Sequence, residues 1–309
     1  MKDNPLVSVI IPNYNHAPYL RERIDSVLNQ TYRNFEVILL DDCSTDDSRD
    51  VINSYRDVSQ ITHIILNERN TGNTFLQWER GLSLSRGEFI WIAESDDVAE
   101  PQLLETLLVE LQRNPQATVA YSHSMMIDSQ GQPMVMTWHP HGSSGEVKTF
   151  DGYTFVRQRM LVDNCVYNAS MVVFLKSACI NIPTDFQRFR YCGDWLFWTY
   201  VCLQGQVIEV CRPLNRYRQH PNKVSVNTDL DGSKWADLAG VVTRLADILK
   251  LTPIQRRCLC GKWTKRFRRG KERNVVEIRR RFPHLYDGTL IDICLYEIGK
   301  WFGFLKKRS

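Results

Sequence analysis

Residues 87–101 read GEFIWIAESDDVAEP, an apolar run from Phe89 to Ala93 that ends abruptly in Glu94, Ser95, Asp96 and Asp97. A buried strand that finishes in three carboxylates within four residues crowds like charges at a sheet edge, which is unfavourable unless a cation neutralises them. The occupant this predicts is a divalent metal carrying phosphates. A second stretch repeats the arrangement: Phe35-Glu36-Val37-Ile38-Leu39-Leu40 runs into Asp41, Asp42, Cys43, Ser44, Thr45, Asp46 and Asp47. Two strands that deliver carboxylates from their carboxyl ends point to one site at one edge of a parallel sheet, the usual ligand position in open α/β folds.

Outward from these two strands, helical and extended patterns alternate. Val7 to Ile11 reads as a first strand, Tyr19 to Gln30 as a helix, Phe35 to Leu40 as a second strand, and Asp46 or Asp47 as the cap of a helix reaching about Tyr55. Ile61 to Leu66 reads as a strand, Phe75 to Ser85 as a helix, Phe89 to Ala93 as the fourth strand, and Pro101 opens a helix ending near Arg113. This alternation implies a parallel sheet. After Val119 the rhythm changes: Met125 to Met136 reads as a hairpin around Asp128-Ser129-Gln130-Gly131, followed by a helix near Phe150 to Leu161, a strand near Met171 to Leu175 and an aromatic helix from Asp194 to Leu203. Beyond Val226 the pattern is helical, with Ser233 as a cap, apolar residues Trp235, Leu238, Val242, Leu245 and Leu249 at helical spacing, and a restart at Thr252-Pro253.

The chain has 309 residues, 43% of them apolar, enough for a sizeable core. Its net charge of +4 hides an asymmetry: residues from Lys250 onward carry 17 Lys and Arg against 5 Asp and Glu, a balance of +12, so the preceding 249 carry −8. Nine scattered cysteines read as reduced thiols rather than a disulfide framework, and the lone Cys258-Leu259-Cys260 motif has no second pair to make a zinc site. No apolar run is long enough to span a bilayer, and the N-terminus lacks the features of a signal peptide, so a cytoplasmic protein is expected.

SVIIPNYN, DDCSTDDS, NERNTGNTFLQWERGLSLSRGEFIWIAESDD, YCGDWLFW and LNRYRQHPNKVS occur in an order and spacing that resembles the family 2 glycosyltransferases, over about Val7 to Ser225. The resemblance implies the GT-A fold, a Rossmann-like, mostly parallel sheet flanked by helices, here with a helical C-terminal extension. Residues 1–226 then form the transferase domain (1–120 the nucleotide-sugar half, 121–226 the acceptor half) and residues 227–309 the basic extension. It also implies inverting, metal-dependent transfer from a nucleotide diphosphate sugar, UDP-linked, to a hydroxyl of a glycan or lipid-linked glycan in bacterial surface polysaccharide synthesis.

The same resemblance assigns roles. Pro12 and Tyr14 match positions that contact the nucleotide base, and Asp41 or Asp42 the acid that binds its uracil or ribose side. Glu94-Ser95-Asp96 stands where the family has DxD, whose last acid holds Mn²⁺ or Mg²⁺ on the diphosphate; Asp96 is the expected metal ligand, with Glu94, Ser95 and Asp97 around the donor sugar and diphosphate. Asp194 matches the catalytic base, although Gly193 replaces the acid that often precedes it. Arg216, Arg218 and His220 resemble a closing loop in which Arg218 meets the diphosphate and His220 joins the metal shell.

Blander readings stand beside these. Asp46 and Asp47 read as helix caps, Trp195, Phe197 and Trp198 as core or acceptor wall, and His16, His63, His123 and His284 as surface or satisfied core residues without a motif partner. His139 and His141 form an HPH loop motif. The basic extension reads either as a solvated face or as a peripheral contact with the anionic inner face of the cell membrane, through Lys262 to Lys271 and the apolar residues Cys294, Leu295, Ile298, Trp301, Phe302 and Leu305. No nucleic-acid-reading motif is present. The competing classes are a nucleotide-sugar-binding protein with little turnover and a sugar nucleotidylyltransferase, the latter disfavoured because SVIIPNYN lacks a glycine-rich basic loop.

Overall fold

The computed structural model describes residues 4–135, 144–221, 233–269, 280 and 282–301. His139, His141, Lys271, Phe302, Leu305 and the expected boundary at residue 226 lie outside them. The chain forms two compact units. The first comprises residues up to Gly152 with Asn168–Ile182 and Val201–His220; the second comprises Tyr153–Tyr167, Pro183–Tyr200 and residues from Pro221 onward.

The first unit holds a nine-stranded mixed sheet. Its strands are β1 (Val7–Asn13), β2 (Phe35–Asp41), β3 (Ile61–Leu66), β4 (Phe89–Ile92), β5 (Val98–Ala99), β6 (Ala117–Ile127), β7 (Val147–Phe150), β8 (Val172–Leu175) and β9 (Gln206–Arg218). The order is β3-β2-β1-β4-β8-β6-β9-β5, with β7 also on β9. The half built from β3, β2, β1 and β4 is parallel, as the strand and helix alternation predicts. Every residue of β1, β2 and β4 is buried, the signature of parallel strands covered on both faces. Pro12 sits in β1 opposite Leu40, past the last β1–β4 pair at Ile10 and Ile92, so its missing N–H interrupts no bond to β4.

Helices α1 (Ala17–Leu28), α2 (Ser48–Asn53), α3 (Thr74–Leu84) and α4 (Leu103–Arg113) lie where the periodicity places them, within a few residues at each end. Asp46 is the residue that caps: its carboxylate accepts from Ser48 N at 3.0 Å and from Ala17 N at 2.9 Å, tying the starts of two helices together. Asp47 occupies the N-cap position of α2 without a side-chain bond.

The later strands depart from expectation. Among the described residues, whose first stretch ends at 135, the hairpin near Met125 is a turn at Asp128–Gly131 with one bridge from Ile127 to Pro133, because β6 is an eleven-residue strand committed to β8 and to parallel pairing with β9. β9 runs through the stretch expected as a closing loop and carries Arg216 and Arg218; its length comes from pairing with β5, β6 and β7, which no local pattern reveals. The helix expected over Phe150 to Leu161 is a short turn of α-helix followed by a π-helical turn at Val156–Met160.

In the second unit, α5 (Gly193–Cys202) buries Trp195, Phe197 and Trp198, so the core reading of these aromatics holds. α6 (Ser233–Ile248) and α7 (Pro253–Arg269) begin where the caps predict. Thr252 and Gln255 form a reciprocal capping box, with Gln255 Oε1 accepting from Thr252 N at 3.0 Å and Thr252 Oγ1 accepting from Gln255 N at 3.4 Å. α8 (Leu290–Trp301) follows. Lys262, expected on a basic surface, is buried and donates from Nζ to the Val162 carbonyl. Among the described residues no helix is long and apolar enough to cross a membrane.

Candidate active site

The adjacent strands β2, β1 and β4 end side by side, and each passes straight into polar residues. Two of these exits need a left-handed backbone: Asn15 has φ of 56° and Cys43 of 65°. Asn tolerates that region because its side chain bonds locally, and here Asn15 Oδ1 accepts from Thr45 N at 2.8 Å while Asn15 N donates to Ser44 Oγ at 2.9 Å. Cys43 Sγ donates to the Glu68 carbonyl at 3.4 Å, and strain of this kind persists where surrounding structure enforces it.

Asp41 is fully buried and accepts from Asn13 Nδ2 at 2.9 Å, Ser44 N at 3.0 Å and Arg49 Nε at 3.1 Å. Asp42 organises the segment before α3, accepting from Asn67 Nδ2 at 2.9 Å, Gln77 Nε2 at 2.9 Å, Thr71 Oγ1 at 2.8 Å and Thr71 N at 3.0 Å. Tyr14, between these turns, is 45% exposed, so its ring is presented to solvent, whereas Pro12 is buried in its strand. Asn73 serves as the N-cap of α3, accepting from Phe75 N at 2.9 Å.

The acids after β4 are treated unequally. Glu94 accepts from Trp78 Nε1 at 3.0 Å, and burial, reinforced by Asp96 and Asp97, pushes its pKa up to about 8. Asp97 is fully buried: it accepts from Asn168 Nδ2 and Ser170 Oγ, both at 2.7 Å, and from Arg218 N at 2.9 Å, with the Arg23 guanidinium 3.9 Å away. Asp96 contacts His220 Nε2 through Oδ2 at 3.0 Å. Ser95 Oγ meets His16 Nδ1 at 2.8 Å.

One carboxylate and two imidazoles thereby converge: ligand atoms of His16, Asp96 and His220 all lie within 4.8 Å of one another, a grouping able to hold a metal ion. Asp96 and His220 are the two residues the sequence singles out for that purpose. His16 is the one it misses, since it carries no motif, and only the neighbouring positions of β1 and β4 bring its turn to Asp96. Arg218 is buried on β9 with its guanidinium spent internally, donating to Glu22 at 2.6 Å and to the Asp96 carbonyl at 2.7 Å and lying 4.8 Å over the Tyr19 ring. Tyr19 in turn packs on His220, ring centroids 5.1 Å apart.

Asp194, in the second unit, lies in the first turn of α5 and accepts from Asn164 Nδ2 at 3.3 Å. Burial pushes its pKa up to about 7, against the opposing bonds from Trp195 N and Asn164. A carboxyl poised there at neutral pH suits general-base chemistry.

The sheet and the acidic strand ends define an enzyme of the GT-A glycosyltransferase class. Residues 8–178 match the model of Glycosyl transferase family 2, and the chain belongs to that family. It is 27% identical to an uncharacterized glycosyltransferase of Haemophilus influenzae over 73% of this chain and 69% of that protein. It is 24% identical to the poly(ribitol-phosphate) beta-N-acetylglucosaminyltransferase TarP of Staphylococcus aureus over 89% of this chain and 84% of TarP. The S. aureus TarS 1-349 structure in complex with UDP-GlcNAc shares the fold, with a TM-score of 0.58 and 17% identity, covering 96% of this chain and 92% of that one.

Proposed function

We propose that this chain transfers a sugar, with inversion, from a nucleotide diphosphate donor, UDP-linked in the first instance, to a hydroxyl of a glycan or lipid-linked glycan in bacterial surface polysaccharide synthesis. The observation that carries the reading is the convergence of His16, Asp96 and His220 at the carboxyl end of β4. TarS supports the donor class, since its structure holds UDP-GlcNAc, and TarP, a poly(ribitol-phosphate) beta-N-acetylglucosaminyltransferase, supports a polymeric hydroxyl-bearing acceptor.

His16, Asp96 and His220 would hold the divalent ion, and a mixed nitrogen and oxygen donor set fits Mn²⁺ better than Mg²⁺, which prefers oxygen alone. Bound there, the cation neutralises charge on the departing diphosphate. Ser95 Oγ lies 2.8 Å from Nδ1 of His16, an outer contact that would leave Nε2 to the ion. Tyr14 stacks on the base, Asp42 shapes the segment beside it, and Asp41 holds the turn. Glu94, whose carboxyl burial holds above the usual range, acts as a hydrogen-bonding group toward the donor, while Asp97 and Arg218 support the loop that presents Asp96. Asp194 takes the proton from the acceptor hydroxyl. Residues 1–226 carry this chemistry, and residues 227–309 serve peripheral attachment.

Calorimetric titration with UDP, GDP, dTDP and CDP, with and without Mn²⁺, tests the donor site. UDP is expected to bind only with the metal, and Asp96→Ala is expected to lose that binding at unchanged melting temperature. Metal-independent binding equal in both proteins would remove Asp96 from the site.

The attachment of the extension has its own support. Leu290, Ile291 and Ile298 on α8 and Ile254 on α7 are exposed apolar residues within a segment of charge +12. Co-sedimentation with vesicles containing anionic phospholipid is expected at low salt and to fade in high salt, as screened electrostatics require. Equal recovery with neutral vesicles, or none with either, contradicts the membrane role.

A further inference from the structure

A second group of metal-ligating side chains lies away from the strand ends that hold Asp96. His123 on β6 and Glu209 and Cys211 on β9 are all buried, at 6%, 7% and 4% exposure, and their ligand atoms lie within 4.8 Å of one another. His123 Nε2 is 3.2 Å from Glu209 Oε1.

The backbone explains why they meet. β6 and β9 run parallel with Tyr121 opposite Glu209 and Ser122 opposite Val210, but His123 opposite Pro213, so Cys211 and Arg212 are extra residues on β9. Such a bulge re-aims side chains. Period-two alternation keeps Glu209 and Cys211 on one face, and the shift in register brings His123 to them. On the other side β7 closes the group: Cys211 N donates to the Glu146 carbonyl at 2.8 Å, and Lys148 pairs with Glu209 in the ladder.

We infer that His123, Glu209 and Cys211 form a second metal site, selective for a borderline-soft divalent ion such as Zn²⁺ and distinct from the site at Asp96. The donor chemistry points there. Imidazole, carboxylate and thiolate are all zinc ligands, and a thiolate disfavours Mg²⁺ and Ca²⁺. The charges also close: one thiolate and one carboxylate balance a doubly charged cation, so the buried group becomes neutral on loading, whereas Glu209 without it has the His123 imidazole at 3.2 Å. Three protein ligands leave a fourth position for water. Occupancy would pin β6 to β9 at the point where their register slips.

The full chain, reduced and stripped with a chelator, is loaded with Zn²⁺ and separately with Co²⁺. The expected result is a tightly held Zn²⁺ that survives gel filtration in wild type and in Asp96→Ala alike, raises the melting temperature, and on Co²⁺ substitution gives a thiolate-to-cobalt charge-transfer band in the near ultraviolet. Cys211→Ser is expected to abolish the band and weaken Zn²⁺ by more than the roughly 10–100-fold that loss of an outer-shell partner costs. Asp96→Ala is expected to keep both. His123→Gln, which leaves the thiol in place, guards against a folding artefact by retaining a soluble protein with weakened Zn²⁺. Absence of the band in wild type, its persistence in Cys211→Ser, or loss of Zn²⁺ only in Asp96→Ala would overturn the site.

Discussion

Asp194→Asn is expected to cut sugar transfer by about 10²–10⁴-fold while making the protein more stable above neutral pH. The two effects share one cause. Burial holds the Asp194 pKa at about 7, so the carboxylate form proposed to act as base is made at the expense of fold stability. The direction follows from linkage: the folded pKa lies above the value near 4 of an unfolded Asp, so the stabilising contribution is complete below about pH 4 and is lost as pH rises through 7. With a folded value of about 7 and an unfolded value near 4, the cost is at most about 4 kcal/mol at pH 8 and about 1.5 kcal/mol at pH 5. The variant should therefore melt above wild type at pH 8 by clearly more than at pH 5. Transfer by wild type should rise with pH and level off above about 7, as the base loses its proton. Calorimetric melting at both pH values, with UDP release in the presence of acceptor, checks both limbs. Identical melting curves for the two proteins at pH 8 would mean that the carboxyl is not buried as described.

Asp97→Ala is expected to destabilise the first unit by about 3–5 kcal/mol, the cost of stranding a buried partner charge. Arg23 is fully buried, donates through Nε to the Glu94 carbonyl at 2.8 Å, and has Asp97 as the foremost charge opposing its desolvation. Removing the carboxylate also strips acceptors from Asn168, Ser170 and the Arg218 backbone, which join the turn before β8 and the end of β9 to the turn after β4. The melting temperature should fall on the order of 10 °C. A fall of only a degree or two would show that Arg23 finds water or another acceptor, and that Asp97 is dispensable to the loop that presents Asp96.

The legibility of this protein differs between its halves. β1, β2 and β4 are continuous apolar runs bounded by acids, and a run of that kind reads as a buried parallel strand from its own residues. The expected strand over Ile61–Leu66 coincides with β3, and the starts of α6 and α7 follow from Ser233 and from Thr252-Pro253. β9 has no such signature: QVIEVCRPLNRYR mixes charged residues and a proline, and it becomes a strand because β5, β6 and β7 satisfy its backbone. The same limit affected the site. Glu94, Asp96 and Asp97 are nearly equivalent as letters, yet one is raised in pKa beside Trp78, one faces two histidines, and one is consumed by internal bonds.

By itself the sequence determined the parallel half of the sheet, the acidic strand ends and the family, because each depends on residues close together in the chain. Tertiary structure alone decided that His16 joins Asp96 and His220, that Arg218 is buried against Glu22, and that His123 meets Glu209 and Cys211. Those partners are separated by about 80 residues or more, and sheet order and strand register set their distance, whereas local hydrophobic periodicity carries no record of either.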